Sequence, residues 1–221
     1  VNEAFGKGGA GVVYQYTALG DSLTTGFGAL PGNGFVPLYR RMTEARLRSF
    51  VAHTNLGING LTTTELLWYI QRNAMFRQAI READVITVSI GGNDLIRAAR
   101  SARGNGAAAL PLGAVHEATR HYGEIMQAIG SIKAQDGRPY LLRTVGLYNP
   151  YPRWAEAAEW VRHFNRHAGR YSSRTSGFAD IYGAFAGSER ELLSLDGLHP
   201  NGRGYRVIAE RLNALGYSPL V

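Results

Sequence analysis

"ADVITVSI", residues 83–90, is apolar at nearly every position. A strand with one wet face would alternate. A run this short and this continuous reads as a strand buried on both faces, which parallel sheets covered by helices contain. The neighbouring segments fit that frame. Residues 12–19, β-branched and aromatic and closed by Gly20, read as the first strand, and 50–56 as the second. Downstream, "RPYLLRTVGLY" (138–148) is another buried strand and 178–182 a short one. Between them lie helical patterns over 35–49, 62–81, 113–135, 154–170 and 202–215. Thr62 and Glu65 have the spacing of a capping box at the start of the second helix. Strands alternating with helices imply an α/β fold with a parallel sheet covered on both faces, and such sheets place their sites at the carboxyl ends of the strands.

The chain has 221 residues, enough for one good-sized core. The expected organisation is a flexible tail over 1–11 and one domain over 12–221, with 104–111 the most loop-like interior segment. There is no cysteine, which excludes disulfides, a Cys nucleophile and thiolate metal sites. The net charge is +7, but the positive residues are spread along the chain. The densest group, Arg40, Arg41, Arg46 and Arg48, suits the solvated side of a helix, so no nucleic-acid partner is expected. No apolar run approaches the roughly 20 residues of a membrane helix, so no stable membrane insertion is expected. The first residues, "VNEAF", carry no signal-peptide pattern. A cytoplasmic location is expected, and a secreted mature form is compatible because the chain lacks an initiator Met. The sequence does not indicate an oligomeric state. Gly6, Gly8 and Gly11 fit G-x-G-x-x-G, but the lysine, H-R-D and D-F-G of a kinase are missing, and no strand precedes the glycines as a dinucleotide fold needs.

Ser22 follows the first strand in "YTALGDSLTTGFG" (16–28). Gly-Asp-Ser is ordinary turn chemistry, and it is equally where a nucleophile would stand if the chain supplied a base, an orienting carboxylate and oxyanion donors. Of the six histidines, His53 falls in a strand, and His116 and His121 read as exposed helix residues. His163 and His167 have a zinc-compatible spacing without a third ligand or the glutamate of a zincin. His199 differs. In "SLDGLHPNGRGY" (194–205), Asp196 precedes it by three residues in a Gly-, Pro- and Asn-rich loop. A tight loop there brings the Asp196 carboxylate to Nδ1 and leaves Nε2 facing outward, the base and orienter of a serine hydrolase. An Asx-turn beside a surface histidine fits the same residues.

"GDSL" (20–23), Gly60 in "NLGINGLTT" (55–63), "GGND" (91–94) and "DGLHP" (196–200) occur in order, and together they resemble the four blocks of the GDSL, or SGNH, hydrolase family. "GLYNPYP" (146–152) is similar to a segment of its bacterial lysophospholipase-like members. The resemblance covers about residues 14–215. It implies a three-layer α/β/α sandwich, flavodoxin-like, with a parallel sheet of about five strands. It further implies Ser22 as nucleophile, His199 as general base, Asp196 as its orienter, and Ser22, Gly60 and Asn93 as oxyanion donors. Asp94 and Asp21 are expected to brace their loops. The implied activity is a GDSL-type esterase or lipase acting on short or medium acyl esters or lysophospholipids through an acyl-enzyme, with no cofactor and no metal. A thioesterase, a carbohydrate O-acetyl esterase and a catalytically silent binding module use the same frame. The pocket is expected from loops 26–35, 93–112 and 148–154.

Overall fold

The computed structural model describes residues 12–104 and 112–221. The expected tail 1–11, with its glycines, and residues 105–111 lie outside the described residues. The strands are β1 (Tyr14–Gly20), β2 (Val51–Gly57), β3 (Val85–Ser89), β4 (Leu141–Val145) and β5 (Ser176–Ala179). All pair in parallel in the order β2-β1-β3-β4-β5. The chain winds outward from β1 to β2, then returns to the other side of β1 for β3. That reversal opens a crevice beyond the carboxyl ends of β1 and β3. Register levels those ends, because Gly20 pairs with Gly57 on one side and Ser89 on the other.

Helices cover both faces: α1 (Ser22–Thr25), α2 (Phe35–Leu47), α3 (Thr63–Arg72), α4 (Ala74–Glu82), α5 (Gly92–Gly104), α6 (Leu112–Ala134), α7 (Ala155–Gly169), α8 (Tyr182–Phe185), α9 (Glu189–Leu192) and α10 (Gly202–Ala214). Successive strand residues serve opposite layers, as the pleat requires. Ile86 and Leu142 join Leu66, Ile80, Ile125 and Phe164 of α3, α4, α6 and α7. Val85 and Leu141 join Leu38 and Tyr39 of α2 and Ile208 and Leu212 of α10. Burial on both faces explains why 83–90 reads as one apolar run.

Four sequence expectations need correction. The helix expected over 62–81 is two helices. Asn73 has extended backbone, and its Oδ1 accepts from Met75 N (3.0 Å) and Phe76 N (3.2 Å), capping α4 as a separate start. The capping box of Thr62 and Glu65 does form at α3. Residues 92–104, expected as loop, are helix α5. The last strand is Ser176–Ala179, earlier than 178–182, because it follows the pairing of β4. His121 is buried, with Thr64 Oγ1 3.0 Å from Nδ1 and Arg120 donating to Nε2 at 2.7 Å.

Candidate active site

The turn after β1 is fixed before Ser22 is reached. Gly20 has φ of +140°, and a Cβ there would fall 2.1 Å from the Ser89 carbonyl oxygen, so the turn admits only glycine. Asp21 caps α1. Its N–H donates to Ser89 O (3.0 Å), and its Oδ1 accepts from Leu23 N (3.0 Å) and Ser89 Oγ (3.0 Å). Asp21 therefore braces the turn. Burial pushes its carboxyl up to about 7, although the bonds from Leu23 and Ser89 favour the charged form. Ser22 is the first residue of α1, so its N–H has no acceptor within the helix.

The second half of the site arrives on the loop before α10. Leu193 and Pro200 form an antiparallel bridge, and Ser194 N donates to His199 O (2.8 Å), closing the base of the loop. Asn201 anchors it, capping α10 with Oδ1 while Nδ2 donates to Glu191 O and Leu193 O. Inside the closed loop, Asp196 Oδ1 accepts from Ser194 Oγ, Leu198 N and His199 N at 2.8–2.9 Å. Asp196 Oδ2 lies 2.6 Å from His199 Nδ1, and His199 Nε2 lies 2.9 Å from Ser22 Oγ. What burial Asp196 has pushes its carboxyl up, but the bonds from His199, Leu198 and Ser194 outweigh that and hold it well below the usual carboxylate range. An ionised Asp196 can only accept, so Nδ1 carries the ring hydrogen and Nε2 is left to take one from Ser22. The Asx-turn and the Ser-His-Asp chain are thus the same loop.

Gly60 and Asn93 follow β2 and β3 and are held together by α5. Asn93 Nδ2 donates to Leu61 O (3.0 Å), which occupies one of its two hydrogens and leaves the other available. Asp94 accepts from Thr63 N (3.0 Å) and Thr63 Oγ1 (2.6 Å). One turn on, Arg97 donates to Gly60 O (2.9 Å) and pairs with Glu65. Three side chains of one helix thus grip the segment 60–63. Gly60 has φ of +79°, with open space where a Cβ would sit. A side chain there would be strained by the backbone, and the methyl would not crowd a neighbouring protein atom. Among the described residues nothing accepts from the Gly60 N–H.

Ser22, Gly60, Asn93 and His199 all line one cavity of about 430 Å³. Its further walls are Leu95, Ile96 and Ala99 of α5, with Arg97 and Arg100 on the same helix, Ala157, Trp160 and Val161 of α7, and Tyr148, Tyr151 and Trp154. The expected loop 93–112 contributes as helix α5, and the expected 148–154 does line the cavity. Of the expected 26–35, Phe27 lines it, its ring tilted against that of His199 at 4.6 Å. The sequence places a helix over 154–170 but does not assign it, or Arg97, to the site. The stripe 157, 160, 161, 164 has the spacing of a core helix, and Ala157, Trp160 and Val161 line the cavity instead.

The other histidines lie elsewhere. His53 is exposed on β2, the ring of His163 meets that of His116 at 5.7 Å, and His167 meets Tyr171 at 5.5 Å. Among the described residues no three His, Cys, Asp or Glu side chains gather as a metal would need, and no helix is long and apolar enough to cross a membrane.

The family model of the GDSL-like lipase/acylhydrolase family matches residues 18–207. The spore germination lipase LipC of Bacillus licheniformis is 38% identical over 208 residues, covering 93% of this chain and 98% of the relative. The crystal structure of the lipase Lip_vut3 from a goat rumen metagenome superposes with a TM-score of 0.88 at 37% identity, over 94% of this chain and 100% of the other. Axe2, an acetyl-xylooligosaccharide esterase from Geobacillus stearothermophilus, shares the fold with a TM-score of 0.68 at 16% identity, over 93% and 95% of the two chains.

Proposed function

Because the chain belongs to the GDSL-like lipase/acylhydrolase family and is a carboxylic ester hydrolase, we propose that it cleaves single-chain acyl esters through an acyl-enzyme on Ser22. Ser22 Oγ attacks the ester carbonyl as its proton passes to His199 Nε2. The charge that forms on the carbonyl oxygen meets the Ser22 and Gly60 N–H groups and the free hydrogen of Asn93 Nδ2. His199 then gives the proton to the departing alkoxide, and the alcohol leaves. Water, deprotonated by the same Nε2, attacks the acyl-enzyme, and the collapse of that intermediate returns a proton to Ser22 Oγ and frees the acid. Asp196 holds the ring in the required tautomer throughout. The steps call on no metal and no cofactor.

The observation that carries this reading is the 2.9 Å bond from Ser22 to His199 opening onto an apolar cavity. Aliphatic and indole walls favour an alkyl chain, short or medium esters and lysophospholipids included, over the hydroxyl-rich face of a sugar. The test is stoichiometric labelling by a fluorophosphonate together with hydrolysis of p-nitrophenyl esters. Ser22→Ala should fold, lose the label and lose at least about three orders of magnitude in turnover. Asn93→Ala should lower kcat by about 10² to 10³ with little change in KM, as expected for a donor used in the transition state. A folded Ser22→Ala protein with wild-type turnover would refute the mechanism.

A further inference from the structure

We infer that the mouth of this cavity is a docking surface for an anionic lipid layer. Three segments frame the mouth and are fastened to one another. The Phe27 ring packs tilted against that of His199, and a Cβ at Gly28 would lie 2.9 Å from His199 Cβ and 3.1 Å from Ser194 Oγ, so the turn after α1 rests directly on the His199 loop. On the far side, Tyr148 Oη donates to Leu198 O at 2.6 Å and ties the segment 148–154 to the same loop. Each segment holds a large apolar side chain in water: Leu30 is 75% exposed, Leu195 109%, and Phe27 and Tyr151 are about half exposed at 49% and 42%. Leu195 stands between Ser194 and Asp196, whose side chains face into the loop, and its own side chain has no burial to gain from the fold. Phe27 and Tyr151 line the opening, and Leu30 and Leu195 lie on the same tied segments; apolar groups clustered in this way mark an interaction site, whereas scattered ones need no explanation.

Charge selects the occupant. Along the mouth segments 26–33, 92–100, 148–154 and 194–200 the acidic residues are Asp94 and Asp196. Asp94 is taken up by Thr63 and Asp196 by His199. Arg100 and Arg153 are exposed on the same segments, as is Arg97 in its pair with Glu65, and the whole chain carries +7. A second copy would bring like charges together, while an anionic lipid layer offers phosphates to the arginines and hydrocarbon to the leucines. Docked this way, an acyl chain leaving the layer passes directly to Ser22. The inference rests on reading the cavity as an acyl site, but its test does not depend on catalysis.

The experiment is flotation of Ser22→Ala protein with vesicles of phosphatidylcholine and phosphatidylglycerol, and with phosphatidylcholine alone. The protein should float with the mixed vesicles, less with the neutral ones, and be released by salt. Leu30→Ser combined with Leu195→Ser should weaken vesicle binding by about tenfold or more, and in the enzyme with Ser22 intact should leave hydrolysis of soluble p-nitrophenyl acetate within about twofold. No flotation with the mixed vesicles, or equal flotation of the double variant, would overturn the inference. So would a dimer of the native chain in sedimentation that the double variant dissolves, since the face would then belong to a second copy.

Discussion

At Asp21 a buried carboxyl stands next to the proposed nucleophile, and its titration can be separated from everything else in the chain. Burial raises it from 3.8 to about 7 in the folded protein. A raised pKa means the native state holds a proton that the unfolded state has released. Stability from this group is therefore fully present below about pH 4 and is lost as pH rises through about 7. Other groups pull the opposite way in the same range, because burial lowers His53, His163 and His167. The clean quantity is the difference between the native protein and Asp21→Asn. Asn keeps an Oδ1 acceptor for Leu23 and Ser89 but cannot ionise. Urea unfolding from pH 4 to 8 should show the native protein losing ground to the variant, by up to about 4 kcal/mol. A difference that stays constant with pH would mean Asp21 is not held above its ordinary range.

Element by element, what was legible depended on whether the signal was local. The strand β3 was readable because burial on both faces leaves a continuous apolar run, β1 because it is β-branched and aromatic and closed by Gly20, and the capping box at α3 because Thr62 and Glu65 carry it alone. The break at Asn73 was not, since an Asn inside a helical pattern declares itself a cap only once its side chain turns back to Met75 and Phe76. Helix α5 was hidden by the glycines at its start, and β5 by Ser176 and Gly177, which have little strand preference and follow β4. Lys133 belongs to the same class. Nothing in the sequence says that it is 1% exposed, with its ammonium donating to Arg81 O and Ala83 O at 2.7 Å and closing the carboxyl end of α4 from α6. Lys133→Met keeps the stem and removes the donors, leaving Ala83 O without its bond and Arg81 O with only the 3.4 Å bond from Arg138. Urea unfolding should show a loss of about 2–3 kcal/mol. A loss under about 0.5 kcal/mol would mean water takes over both carbonyls and the lysine is not what closes α4.

Across the whole molecule, the residues of the proposed chemistry were legible and the cavity was not. Ser22, Asp196 and His199 could be read from the chemistry of their loops, with a plain turn as the competing reading, and Gly60 and Asn93 came through the resemblance to the family's blocks. The cavity is made where α5 and α7 meet over the sheet, and a stripe such as Ala157, Trp160, Val161 and Phe164 looks the same whether it faces a core or a void. Trp160 lets that difference be measured. It lines the 430 Å³ cavity and also a second concavity of about 350 Å³, formed with Val115, His116, Glu159, Arg162, His163 and Arg166. At Trp160, whose ring lies 4.9 Å from that of Trp154, an apolar space adjoins one lined mostly by polar and charged side chains. On the proposed acyl reading, a chain that reaches Trp160 stops there. Trp160→Ala should raise kcat/KM for esters just longer than the native optimum by roughly fourfold per added methylene, the value of about 0.8 kcal/mol each. The gain should end after about two carbons, because beyond the indole the chain meets arginine, histidine and water, where burial no longer helps. Acetate esters should be unaffected, and Trp160→Phe, which keeps most of the wall, should keep the native profile. A folded Trp160→Ala protein with an unchanged chain-length profile would show that the acyl chain ends elsewhere. A gain that continues to the longest esters would show that it leaves the cavity by a route other than the cationic one.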